Sequence, residues 1–315
     1  MINFTQLRDF YQVAKNLNFT VAASKLFISQ PAVTAQVKLF EDYCKLKLFK
    51  KRGRNIYLTD EGKTLYDCAI KIFEYEREIE NLIEDMRKLK RGTLRLGTTK
   101  TYARYFMPFL ISRFHKSYPQ IKIHLDEGSS LDMCNSLFNF KNELAIIAKA
   151  LDNPDICFMP FSQEELIIIL SPSHRLVNKE TVSIREIARE PIIMKENGSG
   201  TRKLVCELFA KNGLTPNILV ETSNTEFIKQ LVARKYGISF LVKAAVEKEL
   251  KEENLASVSI EGEKIFLDVS IAHLKGCHFS PPAQTFMNIL KKLALKYRPN
   301  NGIRSLNDMI NVYNK

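Results

Sequence analysis

The sequence predicts an α/β chain, with an all-α-rich winged helix-turn-helix domain first and a two-lobed α/β domain after it. Three observations carry this. Residues 1–59 read as helix, short helix, tight turn, helix and two short strands. A heptad pattern follows. From Thr93 onward, strand and helix patterns alternate, and the alternation restarts once. A length of 315 residues suits about two domains. A hydrophobic content of 45% is enough for more than one core.

Charge separates the two halves. The net charge is +12 and the isoelectric point is near 9.3, which suggests a polyanionic partner. Residues 1–59 hold ten Lys or Arg against three acids, a local excess of +7 and more than half of the total. That asymmetry favours a dedicated nucleic-acid module. The six cysteines form no CxxC pair, so zinc-ribbon spacing is missing and scattered thiols suit a reducing compartment. Met1-Ile2-Asn3-Phe4 does not begin a signal peptide. The longest aliphatic runs, such as Leu166 to Leu170, are far below the about 20 residues of a membrane helix. The expectation is a cytoplasmic chain with no membrane partner.

Phe4, Leu7, Phe10, Tyr11 and Ala14 recur with helical period. Asn16 to Asn18 break that helix, and Thr20 is the expected cap of a second, with Ala22, Ala23 and Leu26 on its apolar face. Ser29 is the expected N-cap of a third, with Pro31 in the first turn, where its missing N–H costs little. Val33, Val37 and Phe40 then face a core. Gln30, Thr34 and Lys38 share the opposite face at i, i+4 and i+8. Amide and hydroxyl groups suit base edges, and a lysine suits a phosphate; a solvated face on an ordinary amphipathic helix gives the same pattern. Residues 48–59, LFKKRGRNIYLT, read as two strands around a basic, glycine-containing turn. Arg52 and Arg54 lie at its tip, where arginine can enter a narrow minor groove.

The stretch FYQVAKNLNFTVAASKLFISQPAVTAQVKLFEDYCKLKLFKKRGRNIYLTDEGK resembles the DNA-binding domain of the LysR-type transcriptional regulators. AASKL, SQPAVTAQV, LF.KR.R and LTDEG stand in that family's order and spacing. The resemblance implies double-stranded operator DNA as a partner. It implies contacts from Gln30, Pro31, Thr34 and Ala35 and from Arg54 in the wing, and Ala35 departs from the long polar residue common there. With Ser29, Lys38 and Arg52 these residues make the candidate DNA-binding set. RNA polymerase is a further candidate contact for a regulator of this class.

After Thr59, Leu65, Ile72, Ile79 and Met86 are each seven apart, and Cys68, Tyr75, Leu82 and Leu89 form a second row. Such rows predict a helix pairing with another helix rather than packing within its own domain. Leu65, Ile72, Ile79, Leu82 and Met86 are the candidate dimer contacts. The resemblance implies a homodimer through this helix, which the family often extends to a homotetramer. Lys90-Arg91-Gly92 is the expected helix end.

The expected strands beyond it are Leu94–Gly97, Ile121–Asp126, Leu144–Ala148, Leu166–Leu170, Ile192–Lys195, Asn217–Glu221, Ile238–Val242 and Leu267–His273. Helices are expected over Tyr102–Tyr118, Leu131–Phe138, Thr201–Asn212, Glu226–Lys235 and Ala283–Tyr297. This alternation predicts a mainly parallel sheet, and two lobes with two crossings make a cleft. LRLGTTKTYARYFMPFLISRFHKSYPQIKIHLDEGSS and ETSNTEFIKQLVARKYGISFL resemble the family's effector domain, which implies a periplasmic-binding-protein-like fold. Lys235 stands where that family usually has glycine. The expected division is 1–59 DNA-binding, 60–91 linker helix and 92–298 effector-binding. Within the last, lobe I covers about 92–165 and 268–298, and lobe II about 166–267. A tail, 299–315, has Ile303, Leu306, Met309, Ile310 and Tyr313 at helical spacing.

Thr98-Thr99-Lys100-Thr101 and Asn197-Gly198-Ser199-Gly200-Thr201-Arg202 each bring hydroxyls and backbone N–H groups to a helix N-terminus, a setting that suits anions. Helix capping alone gives the same residues. The candidate effector set is Thr99, Lys100, Thr101, Ser129, Ser199, Thr201, Arg202 and Asn224, for a small carboxylate or inorganic oxyanion. TTKTYARY is also similar to the matching stretch of the family's sulfur-assimilation regulators, whose effectors include such anions.

No catalytic constellation is expected. The five His show no HExxH spacing, and GSGTR lacks the lysine of a P-loop. No cofactor and no metal is expected. Two other readings stay open: a thiol-based redox sensor using Cys206, itself equally readable as a small core residue, and an architectural DNA-bending protein that needs no ligand.

Overall fold

The computed structural model describes residues 1–53, 55–149, 153–262, 264–296 and 305. The chain divides into two compact units, Met1–Asp85 and Met86–Lys315. The expected tail helix and Arg54 lie outside the described residues.

In the first unit, α1 (Phe4–Asn16), α2 (Phe19–Leu26) and α3 (Gln30–Cys44) precede β1 (Phe49–Arg52), β2 (Asn55–Leu58) and α4 (Asp60–Arg87). Side-chain caps set each start. The Asn3 amide oxygen accepts from Thr5 N–H, and Ser29 Oγ accepts from Ala32 N–H. The cap of α2 is Asn18, not Thr20. Asn18 is extended, and its amide oxygen accepts from Thr20 N–H at 2.9 Å and Val21 N–H at 3.1 Å, which places Thr20 inside the first turn. Phe10 and Phe40 pack on Leu48, while Val13, Ala22, Val33 and Val37 form the contact among the three helices. β1 and β2 pair antiparallel, Arg52 opposite Asn55, as a wing. Gly53 turns this tight hairpin at φ +63°, a conformation that favours glycine.

The first half of α4 belongs to this core. Ala69 and Phe73 are buried in it, and Leu65, Tyr66 and Ile70 pack against it. The Tyr11 and Phe73 rings lie 4.7 Å apart. Leu65 therefore packs, half-buried, against the core of its own domain. α4 stops at Arg87, three residues before Lys90. Leu89 takes a left-handed conformation there, φ +58°, with its N–H donating to Met86 C=O.

In the second unit, β3 (Thr93–Thr99), α5 (Lys100–Tyr105), α6 (Met107–Ser117), β4 (Lys122–Gly128), α7 (Ser130–Phe138) and β5 (Leu144–Ala148) form lobe I. β6 (Ile156–Leu170) leads out of it. Lobe II contains β7 (Thr181–Val182), α8 (Ile184–Ile187), β8 (Ile192–Lys195), α9 (Gly200–Lys211), β9 (Ile218–Thr222), α10 (Thr225–Ala233), β10 (Ser239–Val242), α11 (Glu247–Lys251) and β11 (Ala256–Ile260). β12 (Ile265–Leu274) and α12 (Pro281–Lys296) return to lobe I, where Phe286, Met287 and Leu290 pack with Leu94, Leu96, Leu110 and Phe114. A second core, around Leu166, Ile168, Phe209 and Phe240, fills lobe II.

The sheet is mixed, not mainly parallel. β3 pairs parallel with β4 and β5, but β12 pairs antiparallel with both β5 and β6. β10 and β11 also pair antiparallel with β6. The ribbon of β6 and β12 is the double crossing between the lobes, and β6 is far longer than its hydrophobic run suggested. The helix expected over Tyr102–Tyr118 is broken at Phe106. Pro108, in the first turn of α6, has no N–H for the Arg104 carbonyl, so a continuous helix would lose a bond and gain a clash. Lys235 ends α10 in the left-handed region, φ +66°. Its N–H donates to Val232 C=O and that of Tyr236 to Leu231 C=O, so the stop forms without glycine.

Candidate functional sites: an exposed reading helix and an interlobe cleft

α3 presents Gln30, Pro31, Thr34, Ala35 and Lys38 to solvent, while Val33, Val37 and Phe40 are buried. Gln30 and Thr34 are tied together. The Gln30 amide donates to Thr34 Oγ1 at 3.2 Å, and Thr34 Oγ1 donates to the Gln30 carbonyl at 2.9 Å. The Thr34 proton is thus committed, which leaves its oxygen as an acceptor and orients the Gln30 amide. Ser29 is occupied as the cap. Arg52 is exposed at the end of β1.

From Ile72 onward, α4 exposes Ile72, Tyr75, Ile79, Ile83 and Met86, with Leu82 half-buried. Ile83 was absent from the expected seam. It widens an apolar stripe that the described residues leave exposed.

Between the lobes lies a small cavity of about 30 Å³. Thr99, Lys100, Thr101, Ser129 and Ser130 line it from lobe I, and Lys195, Glu196, Ser199 and Thr201 from lobe II. Three helix starts converge here and a fourth lies at the mouth. Thr99 caps α5, Ser129 caps α7, Ser199 caps α9 and Asn224 caps α10. They are not equivalent. Thr99 Oγ1 accepts from Tyr102 N–H, Ser129 is engaged in a capping box with Asp132, and Asn224 accepts from Glu226 and Phe227 N–H. Ser199 makes no side-chain cap bond. Gly200 lies so close to lobe I that a Cβ there would stand 2.4 Å from Ala148 Cβ.

The lobes bond directly across the cleft. Leu131 N–H donates to Gly198 C=O at 3.2 Å. Thr101 Oγ1 lies 3.2 Å from Thr225 Oγ1, and Lys100 Nζ donates to Ser223 Oγ at 2.7 Å. At the mouth, a wider space of about 310 Å³ is lined by Arg104, Tyr105, Glu127 and Asn224 among others.

Lys195 escaped the sequence reading. It ends β8 with only 7% of its side chain exposed, donating to Ser223 C=O at 2.7 Å. Burial pushes its ammonium below the ordinary 10.5, and the nearby Glu196 carboxylate offsets part of that. A strand-end lysine in a hydrophobic run is no distinctive signal. Arg202, by contrast, does not line the cavity: its guanidinium pairs with Glu221 at 2.7 Å and donates to Lys195 C=O at 3.3 Å. Asn224 lines the mouth rather than the enclosed space.

All six cysteines are free thiols. Cys206 is half-buried, and burial pushes the Cys134 thiol up to about 11. Among the described residues, no group of three or more His, Cys, Asp or Glu could hold a metal ion. No described helix is long and apolar enough to cross a membrane.

An exposed helix-turn-helix with a wing, followed by two lobes closed over a polar cleft, defines a ligand-responsive regulator of transcription. The chain belongs to the LysR family of DNA-binding transcriptional regulators. Residues 4–63 match the family described as "Bacterial regulatory helix-turn-helix protein, lysR family", and residues 87–294 match "LysR substrate binding domain". The chain is 35% identical over 285 residues to the HTH-type transcriptional activator CmpR of Synechocystis, covering 90% of this chain and 93% of that protein. The CcmR regulatory domain of Synechocystis, solved in complex with 2-PG, is 30% identical. It covers 64% of this chain and 97% of its own, with a TM-score of 0.60. A full-length OxyR variant from Pseudomonas aeruginosa shares the fold, with a TM-score of 0.75 at 22% identity, over 93% of this chain and 99% of that one. CmpR is a transcriptional activator, and this chain is a DNA-binding regulator with a domain for a small effector.

Proposed function

We propose that Gln30 and Thr34 read base edges in the major groove, that Lys38 and Arg52 hold phosphates, and that a small anion in the interlobe cleft modulates operator binding. The cavity carries this reading. It is bounded by both lobes and lined by hydroxyls as well as apolar side chains, with a buried ammonium at Lys195 and a hydroxyl at Ser199 that makes no cap bond. An anion there gains hydrogen bonds from neutral donors and a charge-assisted one from lysine. It can shift the lobes only by binding one arrangement more tightly than another. The 2-PG complex of the CcmR domain supports an anionic ligand, since that domain is 30% identical to this chain. The exposed stripe on α4 supports a homodimer, and pairing of effector domains into a homotetramer extends it.

The deciding experiment measures binding to a selected operator fragment by fluorescence anisotropy, with and without a panel of small anions that includes 2-PG. At least one anion should change operator affinity, and Ser199→Ala should reduce that change while leaving anion-free affinity intact. Ser199 is a cleaner probe than Thr99, whose loss would also uncap α5. A response identical in wild type, Ser199→Ala and Lys195→Met would place the effector elsewhere.

A further inference from the structure

Three polar atoms in the cavity wall have no hydrogen-bond partner among the described residues. Glu196 Oε2, Ser130 Oγ and Tyr102 Oη are shut off from solvent, and none makes a hydrogen bond. All three residues line the same space. Ser130 is fully buried. Lys195 Nζ forms an ion pair with Glu196 Oε2 at 3.7 Å, which balances its charge but is too long for a hydrogen bond. Buried polar groups are nearly always satisfied, so three such atoms around one cavity call for an explanation. A polar ligand that completes them supplies one.

Their chemistries differ, and the difference specifies the ligand. A carboxylate oxygen only accepts, so whatever satisfies Glu196 must bring a hydrogen. Ser130 can donate, and so can Lys195, which already donates to Ser223 C=O at 2.7 Å and Thr225 Oγ1 at 3.4 Å but carries three hydrogens; both suit anionic oxygens. A fully deprotonated anion would set an oxygen against Glu196 Oε2, where like charges repel in a site that excludes water. A space of about 30 Å³ holds two or three waters, which in the closed cleft favours an anion, or an anionic head group, of few heavy atoms.

Building on the anion reading above, we propose that the cleft selects small oxyanions that keep a proton, with Glu196 accepting their O–H and Ser130 and Lys195 donating to their charged oxygens. Hydrogen phosphates, hydrogencarbonate and short hydroxy acids belong to this class. Sulfate and nitrate do not. Glu196 acts as a filter: it rejects by charge what the lysine alone would accept.

Inorganic phosphate and sulfate separate these cases, because they are near-isosteric tetrahedra and only phosphate carries an O–H at neutral pH. Calorimetry on the full chain should show phosphate binding at least about tenfold more tightly than sulfate. Glu196→Gln exchanges the acceptor for an amide that can donate, and should reverse the preference towards sulfate. Ser130→Ala should weaken both anions alike, and gives a second handle should Glu196→Gln fail to fold. Equal affinity for the two anions in the unaltered protein, or an unchanged ratio in Glu196→Gln, would overturn the proton requirement. If both bind equally and Lys195→Met abolishes both, the anion cleft survives and only the filter is wrong. Binding of neither anion at millimolar concentration removes this proposal, while the operator assay with larger acids still judges the broader reading.

Discussion

Lys229 of lobe II donates to the phenol oxygen of Tyr105 in lobe I at 2.9 Å, and that phenol donates in turn to Glu226 Oε1 at 2.9 Å. The Lys229 side chain is almost wholly buried, and its ammonium also meets Glu226 at 3.0 Å and Glu249 at 2.9 Å. Arg104 reaches Glu226 from lobe I at 3.4 Å. This network joins α5 to α10 at the rim of the cleft. It holds the lobes together beside the cavity, not within it.

Tyr105→Phe keeps the ring and removes the oxygen that serves both lobes. Hydrogen bonds to charged groups contribute about 1.5–3 kcal/mol, and Lys229 would keep its two carboxylate partners, so the lower end applies. The closed arrangement should lose roughly tenfold in population. Hydrogen–deuterium exchange should then quicken at the start of α5 and α10 and stay unchanged in α3. Equal exchange in mutant and wild type would show that the phenol does not hold the lobes.

The same network sets a pH dependence. Burial pushes the Glu226 carboxyl up, but bonds from Lys229 and Tyr105 and the charge of Arg104 outweigh it, and the net shift is below the ordinary 4.5. Lys229 moves the other way: burial pushes it down, bonds to Glu249, Tyr105 and Glu226 outweigh that, and the net shift is above 10.5. A depressed carboxylate contributes stability that is present above its unfolded value and lost as pH falls through the folded one; a raised lysine contributes below its unfolded value and loses it above. The latch should therefore be pH-independent through the neutral range and weaken below about 4.5. Small-angle scattering across an acid titration, with Glu226→Gln as reference, checks this; opening of the wild type in the neutral range would contradict it.

On DNA, Gln30→Ala should cost roughly 1–3 kcal/mol on the specific site and little on random duplex. Thr34→Val should act partly through Gln30, because it removes the oxygen that accepts the Gln30 amide. The two substitutions should be less than additive in a double-mutant cycle. Competition binding at fixed salt measures all three, and equal losses on specific and random DNA would remove the base-reading role.

For assembly, Ile79→Asp places a charge in the exposed stripe of α4, whereas Leu65→Asp would attack the packed core of its own domain. Light scattering should show Ile79→Asp shifted towards monomer with its melting transition otherwise kept. Leu65→Asp should lower the melting temperature first. A fully dimeric Ile79→Asp protein would show that the stripe serves another purpose.

Local periodicity by itself determined most of the elements. The helix-turn-helix, the wing, the strand–helix alternation and the heptad rows all follow from side chains that must share a face, a constraint that acts over a few residues. Ser29 was legible as a cap because a cap depends on its neighbours in sequence. Thr20 falls inside the first turn because Asn18, two residues earlier, is the extended residue whose side chain caps the helix. Tertiary structure alone decided what depends on pairs distant in sequence. The antiparallel ribbon of β6 with β12 joins residues about a hundred positions apart, and no local pattern carries its direction. Heptad spacing cannot tell whether Leu65 turns to its own core or to a partner, since both faces are apolar. The cavity is the clearest case. Lys195 and Glu196 read as the end of a strand, and Ser130 as one more small residue in a helix start; folding encloses them in one wall, and only there do a carboxylate without a donor and a hydroxyl without a partner become a statement about a ligand.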